Sequence, residues 1–227
     1  MRRTAAIVIS LTVLAHATTT FDLSADFSLE KNPNQVWQYG YSATNSLDPS
    51  EFRVDEYTDH GSPVGFWHPA VSHQPGPGYY PYVAYNSTKQ SQFGSSNGWA
   101  MRAGEVAMEA SNTGQYSIIR FVAPATGTYQ ITAKFEGVHF GLSTTDVYVL
   151  HNATALFDAD IEGYGGDPNF HKVDGASPTA AYSGKVALKA SDTVTFAVGY
   201  GKNKTHFSDT TGLFAQVVLL SEMGQSQ

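Results

Sequence analysis

A chain of 227 residues with no cysteine has neither a disulfide framework nor a thiolate metal site to hold it together. At this length a folded chain buries roughly 70 % of its unfolded surface, so packing alone can suffice. A formal net charge of −7, with no clustered stripe of Lys and Arg, excludes nucleic acid and anionic membrane as natural partners, and 41 % hydrophobic content argues against wholesale disorder.

The chain opens with Arg2-Arg3, an apolar run to Leu14 and then Ala15-His16-Ala17. A basic start, a short apolar stretch and an A-x-A site read as a signal peptide over residues 1–17, cleaved after Ala17. The run is too short for a membrane span, which needs about 20 residues. Residues 18–227 are then expected to form a single exported domain, without membrane insertion.

Strands are expected at 21–27, 36–41 and 106–110. Between them, residues 57–99 break the rhythm with Gly, Pro, Ser and many aromatics, including "GFWHPAVSHQPGPGYYPYVAYN". A connection this long inside a compact domain is usually functional or disordered, and its aromatic content argues for function or for capping one end of the core. The clearest signal follows at 118–137, "IIRFVAPATGTYQITAKFEG". Here Tyr129, Ile131, Ala133 and Phe135 alternate with Gln130, Thr132, Lys134 and Glu136, the period of a half-buried strand. Pro124 and Gly127 bracket a turn that reads as a hairpin joining this strand to the 116–122 run. Alternation resumes at Val147 and Val149, at Phe157, Ala159 and Ile161, at Val186 and Leu188, and at Val194, Phe196, Val198 and Tyr200, before a last apolar run over 213–220. Many short strands, regular turns and no amphipathic helix predict an all-β fold, an antiparallel two-sheet sandwich or barrel.

Several segments, "FDLSADFSLEKNPNQVWQYGY" (21–41), "TGTYQITAKFEG" (126–137), "TTDVYVLHNATALFDADI" (144–161), "ASDTVTFAVGYG" (190–201) and "DTTGL" (209–213), resemble in content and order a group of β-sandwich modules of exported, often surface-sorted, bacterial proteins. The resemblance implies a jelly-roll sandwich, similar to the galactose-binding-like architecture of many carbohydrate-binding modules. It carries over no catalytic residue. Gln35 stands where the group's tight turn has Gly, and "SEMGQSQ" lacks a hydrophobic sorting tail, so release rather than anchoring is expected.

Candidate chemistry is sparse. Asp158, Asp160 and Glu162, in "DADIEGYGGDPN", have the spacing with which a calcium loop begins, so that a structural calcium ion is the one cofactor the sequence admits, while the favoured expectation is no cofactor. The favoured reading is a strand whose inward residues are Phe157, Ala159 and Ile161, with the carboxylates facing water. "GSSNG" matches a nucleophile elbow at Ser96, but that motif works only at a strand-turn-helix junction, which this pattern does not predict. The histidines show no H-x-H or HExxH spacing. Glu51, Asp55, Glu56 and Asp59 could supply a carboxylate pair only if the fold set two of them about 5 to 10 Å apart across a cleft. Asn86, Asn152 and Asn203 each begin an N-x-S/T sequon and are the expected glycosylation sites.

The sequence therefore points first to a secreted, non-catalytic module binding a glycan or another extracellular polymer. Trp67, Tyr80, Tyr82 and Trp99 are the expected stacking rings, because sugars lie on amphipathic aromatic faces. A structural subunit of an extracellular matrix, coat or filament, self-associating through those rings, is the alternative. A glycan-active enzyme comes third.

Overall fold

The computed structural model describes residues 18–61, 63–70, 79–94 and 98–222. The expected signal peptide (1–17) and Ser96 lie outside the described residues. In chain order the strands are β1 (Thr19–Asp22), β2 (Trp37–Ser42), β3 (Phe52–Val54), β4 (Tyr57–Asp59), β5 (Val64–His68), β6 (Tyr82–Asn86), β7 (Gln92–Gly94), β8 (Trp99–Met101), β9 (Val106–Glu109), β10 (Ser117–Val122), β11 (Gly127–Gly137), β12 (Thr144–His151), β13 (Thr154–Tyr164), β14 (Asp174–Ser177), β15 (Thr179–Leu188), β16 (Thr193–Val198) and β17 (Thr211–Glu222). A short 3-10 turn at Pro49–Glu51 is the single helical piece among the described residues.

Two antiparallel sheets form a jelly-roll sandwich. One runs β15-β11-β17-β9-β6-β5-β4, with β1 pairing β17; the other runs β14-β13-β12-β16-β10-β2-β3. Alternate side chains of both sheets meet in one core. Tyr129, Ile131, Ala133 and Phe135 enter from β11, as their alternation predicts, and Val147, Val149, Val194, Phe196 and Val198 enter from the facing sheet. Fully burying a Val, Ile or Phe side chain among these stabilises the fold by about 1.5–3 kcal/mol.

Three expectations change. Strand β1 stops at Asp22, because Asp22 Oδ1 accepts from the Ala25 N–H at 3.0 Å and its carbonyl accepts from Asp26 at 2.9 Å, closing a turn. The Pro124–Gly127 turn does not make a hairpin. Strand β10 pairs with β16 and β2, while β11 pairs with β15 and β17 in the opposite sheet, so this turn carries the chain across the sandwich. Tyr129 fixes the crossing by donating its hydroxyl to the Ala125 carbonyl at 2.7 Å. The third change is the aromatic segment 57–99, which is not one long loop: it contains β4, β5 and β6 at the end of the first sheet and the two-stranded β7-β8 ribbon. Gln35, in turn, takes φ 53°, the left-handed conformation for which glycine is the usual residue.

Candidate functional site

The β7-β8 ribbon covers part of the outer face of the first sheet and creates a cavity there. Along β5, Trp67 points into the sandwich core and Phe66 points outward; along β6, Val83 points inward while Tyr82 and Ala84 point outward. Register puts Phe66 opposite Ala84, and Tyr82 opposite Glu109 of β9. The small Ala84 between larger neighbours leaves a depression that Met101 and Trp99 of β8 roof from one side. The ribbon is tied to the end of β11, with the Ala100 N–H donating to the Val138 carbonyl at 2.9 Å and Trp99 bridging to His139. The third wall is the segment before β17, His206 to Thr210. The enclosed volume is about 480 Å³.

Glu109 forms the polar end. The Tyr82 hydroxyl donates to Glu109 Oε2 at 2.8 Å and the Thr210 hydroxyl donates to the same oxygen at 2.5 Å. Burial pushes the Glu109 carboxyl up to about 7, even though both hydroxyl bonds pull it down. Tyr82 shows part of its ring to the cavity while its hydroxyl is enclosed; burial, and then Glu109's charge, hold that hydroxyl well above the usual tyrosine range, so it stays a donor. Behind the wall, Asp209 Oδ1 accepts from the Thr144 N–H at 2.8 Å and its hydroxyl at 3.2 Å. Burial raises Asp209 to about 8, with a smaller contribution from Glu109. His206 is pushed down by burial, which favours its neutral form.

Aromatic rings make the remaining walls. The Phe66 and Tyr82 centroids are 5.9 Å apart. Half-buried Trp99 stands opposite Gly94 in the ribbon, and a Cβ at position 94 would collide with its indole nitrogen. Glycine there is what lets the indole lie across the strand. At the rim, Tyr79 is 42 % exposed and Phe207 is 71 % exposed, flanking the His206 ring at 5.8 and 4.4 Å. Exposed rings around an apolar hollow with a few convergent polar groups are the ordinary make-up of a ligand site.

No protein-family model matches the chain, and no curated protein matches it in sequence. Among solved structures it is similar to CBM51 from Clostridium perfringens GH95 in complex with methyl-galactose, at 12 % identity over 88 % of this chain and 99 % of that one, with a TM-score of 0.37. It is also similar to a family 35 carbohydrate binding module from Clostridium thermocellum, at 11 % identity over 60 % and 90 %, TM-score 0.33. A third is TmCBM27, described for specific mannan recognition, at 10 % identity over 61 % and 89 %, TM-score 0.32. These three neighbours are carbohydrate-binding modules. Identities and TM-scores this low leave the cavity's own chemistry as the ground for a functional conclusion.

Of the four rings expected from sequence, the structure brings Tyr82 and Trp99 to the cavity and places the other two elsewhere. Trp67 is 6 % exposed, its indole donates to the Ser28 carbonyl at 2.7 Å, and its ring stacks beside core Tyr39. Tyr80 is buried against His68. An exposed platform of Trp67, Tyr80 and Tyr82 is therefore not what the fold builds. Alternation along β5 turns Phe66 outward and Trp67 inward, and sequence reasoning chose the wrong neighbour. It also missed Glu109, His206, Phe207 and Thr210. A faint signal for Glu109 was present: it is the one acid in the otherwise apolar "VAMEA" run.

The calcium expectation meets strand geometry. Asp158, Asp160 and Glu162 fall on one outward row of β13, where alternate residues sit about 7 Å apart, too far for three carboxylates to share one ion at about 2.5 Å. Asp160 instead pairs with Lys202, and no group of three or more acidic or histidine ligands converges among the described residues. Glu51, Asp55, Glu56 and Asp59 do not line the cavity; Asp55 is buried, and neither carboxyl oxygen has a hydrogen-bond partner among the described residues. Asn86 is fully buried, its amide nitrogen donating to the carbonyls of Gln90, Met101 and Arg102, so this sequon cannot carry a glycan in the fold. Asn152 and Asn203 are exposed.

Proposed function

We propose that this protein is an exported, non-catalytic module, residues 18–227 forming one binding unit, whose cavity holds a sugar unit of an extracellular glycan. The observation that carries this reading is the cavity itself: about 480 Å³, walled by Phe66, Tyr82 and Trp99, with a single buried carboxyl at its polar end. A sugar ring has an apolar C–H face that packs on an aromatic ring and hydroxyl edges that hydrogen-bond, and this cavity presents both kinds of surface. The volume lies in the range for small-ligand sites, roughly 300–1,000 Å³. Glycoside hydrolysis uses two carboxyl groups flanking the bond. Glu109 is the one carboxyl lining the cavity among the described residues, which supports binding without turnover.

A glycan array on the mature protein, followed by affinity retention of Trp99→Ala and Phe66→Ala, tests the reading. Both variants should lose retention while keeping a cooperative melt. Light scattering that shows self-assembly, with no sugar retained by the parent protein, would overturn it in favour of a structural subunit.

A further inference from the structure

The outer face of the second sheet holds a cation without a counter-charge. Cross-strand register sets Gln38 of β2, Arg120 of β10 and Thr195 of β16 in one row, and since Ile119 and Phe121 point into the core, this row faces away from it. Among the described arginines, Arg53 donates to the Ser50 and Phe52 carbonyls at 2.8 and 2.9 Å, and Arg102 donates to Glu136 at 2.7 Å. Arg120 makes no hydrogen bond or ion pair among the described residues. Its Nε is sealed without a partner, while Nη1 and Nη2 are not sealed. Burial lowers the Arg120 pKa with no carboxylate opposing the shift, and a guanidinium still keeps its charge at every ordinary pH. A half-buried charge left unpaired is costly, which is why such groups are usually matched by an opposite one.

The side chain is also held in place. Its Cζ lies 3.9 Å from the centroid of the Phe52 ring. A Cβ at Gly40 would come within 2.9 Å of that ring, so glycine there lets Phe52 lie across β2 and reach the guanidinium. Stacking occupies one face and leaves the terminal N–H groups, which project in the guanidinium plane, for two oxygens of one oxyanion. A fork fixed beforehand loses little rotamer freedom on binding. Its row neighbours add two more groups. The Gln38 amide and the Thr195 hydroxyl make no hydrogen bond among the described residues, and the hydroxyl is not sealed although Thr195 is only 4 % exposed. Cross-strand neighbours stand about 5 Å apart at Cβ, close enough for three such side chains to share a ligand. The next residue in the row is Leu150, so no acid competes there. Of the acids elsewhere on this face, Asp146 accepts from the Gly201 N–H at 2.7 Å and the Tyr116 hydroxyl at 3.2 Å, and Asp160 pairs with Lys202. The net charge of −7 is screened beyond about 8 Å at physiological salt, so the local cation governs.

We propose that this row, centred on Arg120, binds a single oxyanionic substituent of a sugar, a uronate carboxylate or a sulfate ester. The site is separate from the cavity, which lies on the first sheet; only the choice of a sugar as carrier rests on the glycan reading.

Nuclear magnetic resonance titration of the mature protein tests it. A sealed Nε–H exchanges slowly with water, so Arg120 should give a resolved side-chain proton–nitrogen signal, assigned by its loss in Arg120→Met. The probes are glucuronate, glucose 6-sulfate, glucose, acetate and inorganic sulfate. At least one acidic sugar should shift the signal saturably and bind about tenfold or more tightly than glucose, and Arg120→Met should erase that difference. Which acid binds identifies the substituent. No shift with either acidic sugar, glucose binding as tightly, or a preference that survives Arg120→Met overturns the site. Acetate or inorganic sulfate matching the acidic sugars overturns the sugar as carrier. If Arg120→Met fails to melt cooperatively, the signal on the unaltered protein decides, together with Thr195→Val, which keeps the side-chain shape and should weaken the acidic sugar several-fold. Retention of a neutral glycan that depends on Trp99 tests the cavity independently, and its failure with acidic-sugar binding intact overturns the cavity reading alone.

Discussion

Replacing Trp67 and Trp99 by alanine, one at a time, separates core from site. Trp67 is almost fully buried, so Trp67→Ala removes a whole indole from the core at about 3–5 kcal/mol. It also strands the Ser28 carbonyl, which accepts from the indole at 2.7 Å, for about 1 kcal/mol more. For a domain of this size each kcal/mol moves the melting temperature by about 2–4 °C, so the midpoint should fall by about 10–20 °C. Trp99 is half-buried on the ribbon, and Trp99→Ala should lower the midpoint by only a few degrees. Its effect belongs in binding, where a central aromatic anchor is worth about 2 kcal/mol or more, roughly 30-fold in affinity. Calorimetric melts and glycan retention on both variants provide the readout. A Trp67→Ala variant that melts within about 3 °C of the parent while losing retention would refute the placement of these two rings.

Stability should fall as pH rises. Asp55, Glu105, Glu109 and Asp209 are buried and pushed above the ordinary carboxyl range, Glu109 to about 7 and Asp209 to about 8. Unfolded, these groups ionise near 4, so the native state binds more protons between about pH 4 and pH 8 and loses stability across that window. The melting midpoint should drop by about 5 °C or more from pH 5 to pH 9, and Asp55→Asn should flatten the slope; a midpoint that climbs with pH contradicts the burial of these groups. Gly94→Val should displace the Trp99 indole and weaken ligand retention about tenfold with a small change in melting, measurable by the same affinity assay. In a glycosylating host, peptide mass spectrometry should find glycan at Asn152 or Asn203 and none at Asn86, whose side chain is enclosed; occupancy at Asn86 in folded protein would contradict its hydrogen bonds.

What the sequence by itself determined was which side chains go inward along isolated, half-exposed strands. In β11, Tyr129, Ile131, Ala133 and Phe135 are inside because a period of two has one physical solution when one face is wet. Alternation names the buried face and not the partner, and so it could not tell that β10 and β11 belong to opposite sheets. Their apolar faces meet the same core from two sides, and a turn that crosses the sandwich has the same composition as one that closes a hairpin. The signal disappears where both faces of a strand are covered. All four residues of β9 are buried, because the β7-β8 ribbon lies over the outer face, so alternation is lost there and a lone acid in "VAME" is all that singles out Glu109. Only the tertiary structure brings it to Tyr82, 27 positions away, and to Thr210, 101 positions away. The same holds for Phe66 and Trp67. Two adjacent aromatics carry equal weight in sequence, and a shift of one residue in strand register exchanges which of them faces the cavity and which the core.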